Sequence, residues 1–191
     1  VTLTGAEGRL SIKVGPVSMT GSVAWSWGPP PVLATKVGST LYLNTGSRVG
    51  SRGSLYKDMV DDSYGIKQDG DRLIVSGLGH EQSFSGVSSI VADLGDGEDF
   101  LFIDESVTKN AEITAGGGND TIIYSGAGRA VIHGQSGNNT IYLGPAGGTV
   151  FGGIGDDSIF GGEGNATIHG GEGNNFIDGE AGNNTVYGGP V

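Results

Sequence analysis

Side chains that carry oxygen atoms recur at a nearly constant interval in the second half of the sequence. They are Asp99, Asp120, Asn139, Asp157 and Asn175, separated by 21, 19, 18 and 18 residues. Calcium takes six to eight oxygen ligands, and its affinity rises with the number of carboxylates among them. If one interval is one turn of a stacked fold, these side chains lie above one another on a single edge.

The interval of 18 is twice the period of a nine-residue repeat that fills residues 134–187. The six units read GQSGNNTIY, LGPAGGTVF, GGIGDDSIF, GGEGNATIH, GGEGNNFID and GEAGNNTVY. Each combines a glycine-rich turn with three residues of which only the middle one is consistently aliphatic. This pattern predicts a short β-strand with one side chain inside and two outside. Nine residues cannot enclose a core, so the units must stack, which predicts an all-β fold with a β-solenoid in the C-terminal half.

The eighth position of each unit is Ile or Val, and these side chains are predicted to fill the core. Four less regular units precede residue 134, with Leu101, Ile113, Ile122 and Ile132 at the same position. A twelve-residue unit, 103–114, and the extra residue Tyr124 interrupt the period there. The predicted core of the regular part is Ile122, Ile132, Ile141, Val150, Ile159, Ile168, Ile177 and Val186.

The repeat resembles G-G-x-G-x-D-x-U-x, the glycine-rich nonapeptide of RTX (repeats-in-toxin, haemolysin-type) calcium-binding proteins. Residues 152–160, GGIGDDSIF, match it at every fixed position. The resemblance implies a parallel β-roll in which two units make one 18-residue turn, with aspartates at position six holding calcium between turns. It also implies a secreted bacterial protein, but no single activity.

Calcium sites of this kind are expected to be weak or few, because position six departs from the family pattern. On the first edge only Asp99 and Asp120 are neighbouring aspartates, and Asp157 lies between Asn139 and Asn175. The other edge carries Ala130, Gly148, Ala166 and Asn184, so no such site is expected there. The predicted metal residues are Asp99, Asp120, Asp157 and Asn139.

The asparagines at positions five and six have two interpretations. Their side chains form hydrogen-bonded ladders along the edges and so replace calcium in holding the turns together. Alternatively, asparagine is present because it tolerates the left-handed conformation of a turn. The residues concerned are Asn138, Asn139, Asn165, Asn174, Asn175, Asn183 and Asn184.

Aromatic residues recur at position nine, where side chains point outward. One row is His133, Phe151, His169 and Tyr187, and the opposite sheet carries Tyr142 and Phe160. With one strand spacing of about 5 Å per turn, each set forms a vertical row. These six residues are predicted either to bind a partner or polysaccharide, or to support the strands by stacking on one another.

Composition and motifs narrow the classes of function. A net charge of −11 argues against a nucleic-acid partner, and no apolar run reaches the ~20 residues that span a bilayer. The chain has no cysteine, and it carries neither a G-x-S-x-G nor an H-E-x-x-H motif. We therefore expect a protein that is not an enzyme. The resemblance to RTX repeats implies a location outside the cell or on a bacterial cell surface.

The sequence predicts three segments: an N-terminal β segment, 1–31, an irregular β region, 32–93, and the RTX-like β-solenoid, 94–191. The first functional hypothesis is a structural or assembly module of a bacterial surface or secreted protein. The alternatives are a polysaccharide- or surface-binding adhesin and the non-catalytic repeat tail of a secreted enzyme. Expected partners are neighbouring domains of a parent protein or further copies of the chain, because a seventh unit starts at Gly188 and breaks off. Such copies would dock end to end into a filament.

Overall fold

A computed structural model describes residues 2–4, 9–11, 23–24, 30–52 and 61–189, with side chains from residue 30 onward. The chain divides into two compact units, Val1–Pro30 and Pro31–Val191. In the first unit β1 (Thr2–Thr4), β2 (Arg9–Ser11) and β3 (Val23–Ala24) form an antiparallel sheet. The rest of the predicted segment 1–31 lies largely outside the described residues.

The second unit consists of two eight-stranded sheets. The first contains, in spatial order, β18 (Phe176–Asp178), β16 (Ser158–Phe160), β14 (Thr140–Tyr142), β12 (Thr121–Tyr124), β10 (Phe100–Ile103), β6 (Ser63–Asp69), β7 (Arg72–Gly77) and β8 (His80–Ser85). The second contains β19 (Thr185–Tyr187), β17 (Ala166–Glu172), β15 (Gly148–Ile154), β13 (Ala130–Ser136), β11 (Asn110–Gly117), β9 (Ser89–Asp96), β5 (Thr40–Leu43) and β4 (Ala34–Val37). The fold is an all-β solenoid of about five turns, as predicted.

Consecutive nonapeptides alternate between the two sheets, so that strands of one sheet are two units apart. Thr140 pairs with Ser158 and Ser158 with Phe176 in the first sheet, all in parallel. In the second sheet Val150 lies between Ile132 and Ile168 in the same way. This register confirms that two nonapeptides make one turn.

The position-eight side chains lie between the sheets. Ile122, Ile132, Ile141, Val150, Ile159 and Ile168 have no exposed surface, which confirms most of the predicted core. The last two members differ: Ile177 is only partly buried, and Val186 is 48% exposed. Among the described residues no strand follows β19 in its sheet, so nothing covers Val186 from that side.

Glycine is required where successive turns approach each other closely. Gly137 has φ of 101°, a conformation that side chains disfavour, and a Cβ there would lie 1.9 Å from the carbonyl oxygen of Gly118. The glycine-rich half of the repeat is therefore a consequence of backbone stacking at the turn.

The twelve-residue unit and the extra residue do not interrupt the stacking of the strands. The long unit places Val107 in the core, with no exposed surface. The extra residue Tyr124 is buried as well, and its hydroxyl donates to the carbonyl oxygen of Lys109 at 2.6 Å. This hydrogen bond thus joins the twelve-residue unit, which contains Lys109, to the extra residue Tyr124.

Parallel pairing extends upstream of residue 94. β5 pairs with β9 and β6 pairs with β10, both in parallel. The antiparallel strands β4, β7 and β8 then continue the two sheets beyond the first turn. The region predicted as irregular β thus shares one hydrophobic core with the repeats. In the part of the chain that the structure describes, no helix is long and apolar enough to cross a membrane.

Candidate calcium edge and aromatic rows

A continuous hydrogen-bonded row of side chains runs along one edge of the solenoid. The backbone N–H of each member donates to the side-chain oxygen of the member one turn further along. The N–O distances are 2.9 Å for Asp99 to Asp120, 3.0 Å for Asp120 to Asn139, 2.8 Å for Asn139 to Asp157 and 2.8 Å for Asp157 to Asn175. We call Asp62, Asp99, Asp120, Asn139, Asp157 and Asn175 the buried ladder.

Asp62 is a member that the sequence prediction missed. Its backbone N–H donates to Oδ1 of Asp99 at 2.6 Å, and its carboxylate contacts the buried guanidinium of Arg52. A partial signal was present, because Asp62 and Ser63 have the residue types of positions six and seven, but Tyr64 stands where the repeat has an aliphatic residue. The glycine-rich half of the unit is missing, and the resemblance to the repeat is lost with it.

A second row at position five is exposed and runs in the opposite direction. The backbone N–H of Asn138 donates to Oδ1 of Asn119 at 2.8 Å, and that of Asp156 to Oδ1 of Asn138 at 2.7 Å. On the other edge the backbone N–H of Asn183 donates to Oδ1 of Asn165 at position five, and that of Ala166 donates to Oδ1 of Asn184 at position six. Among the described non-glycine residues only Leu78, Gln135 and Glu180 have a left-handed backbone. The hydrogen-bonded ladders predicted for the asparagines are therefore present, and the left-handed alternative is wrong, while the replacement of calcium by these ladders stays a prediction.

Asparagine and aspartate differ in how they satisfy the second side-chain atom of the ladder. Asn139 donates from Nδ2 to the carbonyl oxygen of Gly137 at 3.2 Å. The corresponding Oδ2 atoms of Asp99, Asp120 and Asp157 are buried and have no hydrogen-bond partner. A carboxylate cannot donate, so each of these oxygens needs a further hydrogen-bond donor, a proton or a cation.

Backbone encloses this second oxygen. A Cβ on Gly152 would lie 2.5 Å from Oδ2 of Asp157 and 2.3 Å from the carbonyl oxygen of Gly170. Glycine at that position therefore leaves room for the carboxylate beside the stacked backbone.

Burial shifts the pKa values of the ladder carboxylates upward. It raises the pKa of Asp99 to about 7, and the carboxylates of Asp120 and Asp62 add to the effect. Burial also raises the pKa of Asp120 and of Asp157. It raises the pKa of Asp62 too, and the Arg52 charge opposes that effect. Oδ1 of Asp62 also has no hydrogen-bond partner, but that carboxylate contacts Arg52. For Asp99, Asp120 and Asp157, burial without such a cation shifts the equilibrium toward the neutral form.

The ladder offers calcium single carboxylate oxygens on separate turns, not a gathered set of ligands. Asp99, Asp120 and Asp157 would hold calcium through Oδ2, and bound calcium would supply the positive charge that the buried oxygens lack. Asn139 does not match its predicted role, because its oxygen accepts from Asp120 and its Nδ2 points where the aspartates place Oδ2. Across the described residues no group of three or more His, Cys, Asp or Glu side chains is gathered closely enough to hold a metal ion.

The predicted aromatic rows are present and their rings are stacked. His133, Phe151, His169 and Tyr187 have successive centroid distances of 4.8, 4.8 and 4.6 Å, with planes within 11° of each other. Tyr142 and Phe160 stack at 4.5 Å. Phe151 and His169 lie between two other rings and leave only their edges outward, which favours mutual support over stacking with a sugar, whereas Tyr187 at the end of the row is 54% exposed. Phe176, at position seven, was not predicted and tilts against Phe160.

Comparison with known proteins links this geometry to a described repeat. The family model of the RTX calcium-binding nonapeptide repeat matches four times, at residues 112–126, 124–145, 147–165 and 160–190. The matched part includes Asp120, Asn139 and Asp157, whereas Asp99 lies upstream of it. No curated protein and no solved structure matches the chain significantly.

Proposed function

Residues 112–190 are RTX calcium-binding nonapeptide repeats, and from that premise we propose that the chain is a non-enzymatic structural or assembly module of a bacterial secreted or cell-surface protein. Calcium binds such repeats. In this module calcium strengthens a solenoid that the asparagine ladders already hold together.

The observation that carries this proposal is the set of three buried carboxylate oxygens without partners, on Asp99, Asp120 and Asp157. An ion that binds the folded state and not the unfolded chain stabilises the fold in proportion to its concentration. The asparagines of the buried ladder form their hydrogen bonds without a metal ion. Calcium is therefore needed only where the ladder carries aspartate.

The small number of carboxylates available to each calcium ion supports a location outside the cell. Calcium modules of extracellular proteins bind with dissociation constants of roughly 10⁻⁴–10⁻³ M, whereas cytosolic sensors bind more tightly. A ladder whose carboxylates are interrupted by amides from Asn139 onward matches the weaker class. Protease accessibility of the protein on intact bacteria would test this location, and protection until lysis would contradict it.

The surface of the solenoid supports a role without catalysis. A groove on the first sheet is lined by Ser63, Tyr64, Gly65, Ser76, Gly77, Leu78, Gly79, Phe100 and Phe102. Tyr64 is its only titratable residue, and burial raises the pKa of its hydroxyl to about 12. The histidines of the repeat, His133 and His169, are held in the ring stack. None of these groups is placed for acid–base or nucleophilic chemistry.

The calcium part of the proposal is tested by replacing the three aspartates with the residue that the repeat itself uses. We expect Asp99→Asn/Asp120→Asn/Asp157→Asn to remain folded and to lose the calcium-dependent rise in melting temperature. Isothermal titration calorimetry measures the loss of binding directly. The control is Glu98→Gln/Asp156→Asn/Glu163→Gln, which removes the same charge from exposed positions. An unchanged calcium response in the ladder variant would contradict the proposal.

A second part of the proposal is contact at the end of the stack. Val186 and Phe176 are 48% and 56% exposed on the last described strands of the two sheets. Either a further turn of the same polypeptide or a second copy of the chain covers this apolar surface. Sedimentation velocity over a concentration range distinguishes them, because association that Val186→Lys abolishes supports the second copy, whereas a monomer at every concentration excludes it.

A further inference from the structure

Arg52 is a buried cation at the upstream end of the buried ladder. Its side chain has no exposed surface, and it ends the 3₁₀ helix Gly46–Arg52. Its guanidinium contacts the carboxylate of Asp62, and its Nε donates to the carbonyl oxygen of Asn44. The guanidinium carbon also lies 5.7 Å from the centre of the Tyr64 ring. The buried arginine thus has an opposite charge and two acceptors beside it, whereas its Nη1 and the Oδ1 of Asp62 are buried without a hydrogen-bond partner.

This contact distinguishes the first carboxylate of the ladder from the others. Asp62 has a full positive charge from the chain itself, whereas no ion pair is formed by Asp99, Asp120 or Asp157 in the described part of the structure. Asp62 is nevertheless joined to the row, because its backbone N–H donates to Asp99.

We infer that Arg52 is a resident cation that replaces calcium at the first rung of the ladder and fixes the upstream turn of the solenoid without metal. The calcium side of this inference rests on the function proposed above, while the charge compensation between Arg52 and Asp62 stands without it. The aspartates further along the ladder have no such cation and depend on a proton or on calcium.

The position of Arg52 also explains how one side chain fixes a whole turn. Asn44 follows β5 of the second sheet, and Asp62 precedes β6 of the first. By contacting both, Arg52 ties the two sheets together at the point where parallel stacking begins. The fixed turn offers paired strand edges onto which the following repeats fold, since each solenoid turn is stabilised mainly by its neighbour.

The inference is tested by hydrogen–deuterium exchange on the full chain at pH 8 with excess chelator, so that calcium plays no part. The wild-type chain should keep β6 and β10 protected. Arg52→Met leaves the Asp62 carboxylate buried without its cation and should reduce protection of these strands by roughly 100-fold or more. Arg52→Met/Asp62→Asn removes both charges and should recover most of the protection. Arg129→Met, at an exposed arginine, is the control and should change nothing.

Two results would overturn the inference. Full protection in Arg52→Met would show that the upstream turn does not need the cation. Failure of Arg52→Met/Asp62→Asn to recover protection, including failure to fold, would show that Arg52 acts through packing and its bond to Asn44. Neither result depends on whether the downstream aspartates bind calcium, which the titration of the triple variant decides separately.

Discussion

Asp120 and Asn139 occupy equivalent places in consecutive turns, and the backbone N–H of Asp120 donates to Oδ1 of Asn139 at 3.0 Å. Asn139 uses its remaining polar atom to donate to Gly137, whereas Oδ2 of Asp120 is buried without a partner. The amide and the carboxylate therefore accept the same backbone hydrogen bond with Oδ1. They differ in the second polar atom, which is a partnered Nδ2 in Asn139 and an unpartnered Oδ2 in Asp120. This difference determines how the solenoid responds to metal and pH.

Replacing Asn139 by aspartate should convert a metal-independent rung into a calcium-dependent one. Asn139→Asp joins Asp120 to Asp157 and extends the run of successive carboxylates in the buried ladder to five, from Asp62 to Asp157, so calorimetry should detect tighter calcium binding. In chelator the same variant should lose roughly 1–3 kcal/mol of stability, because a satisfied donor becomes an unpartnered acceptor. The control is Asn138→Asp on the exposed row. Equal calcium affinity in the two variants would contradict the assignment of the buried row.

Stability without calcium should fall as the pH rises from 5 to 8. The pKa of Asp99 is about 7 in the folded protein, against an ordinary value of 3.8. Because the folded state holds the proton more tightly, this contribution is complete below the ordinary value and is lost as the pH rises through the folded value. The pKa shifts of Asp120 and Asp157 act in the same direction.

Urea denaturation at several pH values in excess chelator measures this dependence. Asp99→Asn should flatten part of the curve, and added calcium should restore stability at pH 8 more than at pH 5. A chelated protein that becomes more stable between pH 5 and pH 8 would show that the ladder carboxylates are not the groups that matter.

Truncating the side chain at position eight to alanine should matter in the middle of the stack and much less at its end. Ile159→Ala should destabilise the protein by ~2–5 kcal/mol, because it leaves a cavity between the sheets. Val186→Ala is the matched variant at the same repeat position, and its partial exposure should limit the loss to about 1 kcal/mol. Similar losses in the two variants would mean that Val186 is covered in solution.

Chelation alone should leave most of the β-structure intact. The backbone ladders and the asparagine rows hold adjacent turns without metal, and Asn139, Asn175 and Asn184 satisfy their own amides. Far-ultraviolet circular dichroism in excess chelator at 25 °C should therefore retain most of its β signal. Loss of the entire signal would contradict the claim that asparagine replaces calcium at most rungs.

The sequence alone determined the register of this protein. Gly-rich turns and one inward Ile or Val per nonapeptide fix which side chains are buried, since a strand alternates its faces and cannot shift by one residue without exposing its core. From that register follow the alternation between sheets, the row from Asp99 to Asn175 and the vertical alignment of His133 with Phe151. None of these depends on the detailed path of a turn.

Tertiary structure alone decided what those aligned groups do. The direction of the Asn139 amide, the edge-on presentation of the Phe151 ring and the exposure of Val186 depend on neighbours one turn away. The contact between Arg52 and Asp62 involves residues that lie outside the repeat. Strand pairing brings them to the edge of the solenoid. A nine-residue period specifies which residues meet, but the hydrogen bonds and charges between them are set by packing across turns.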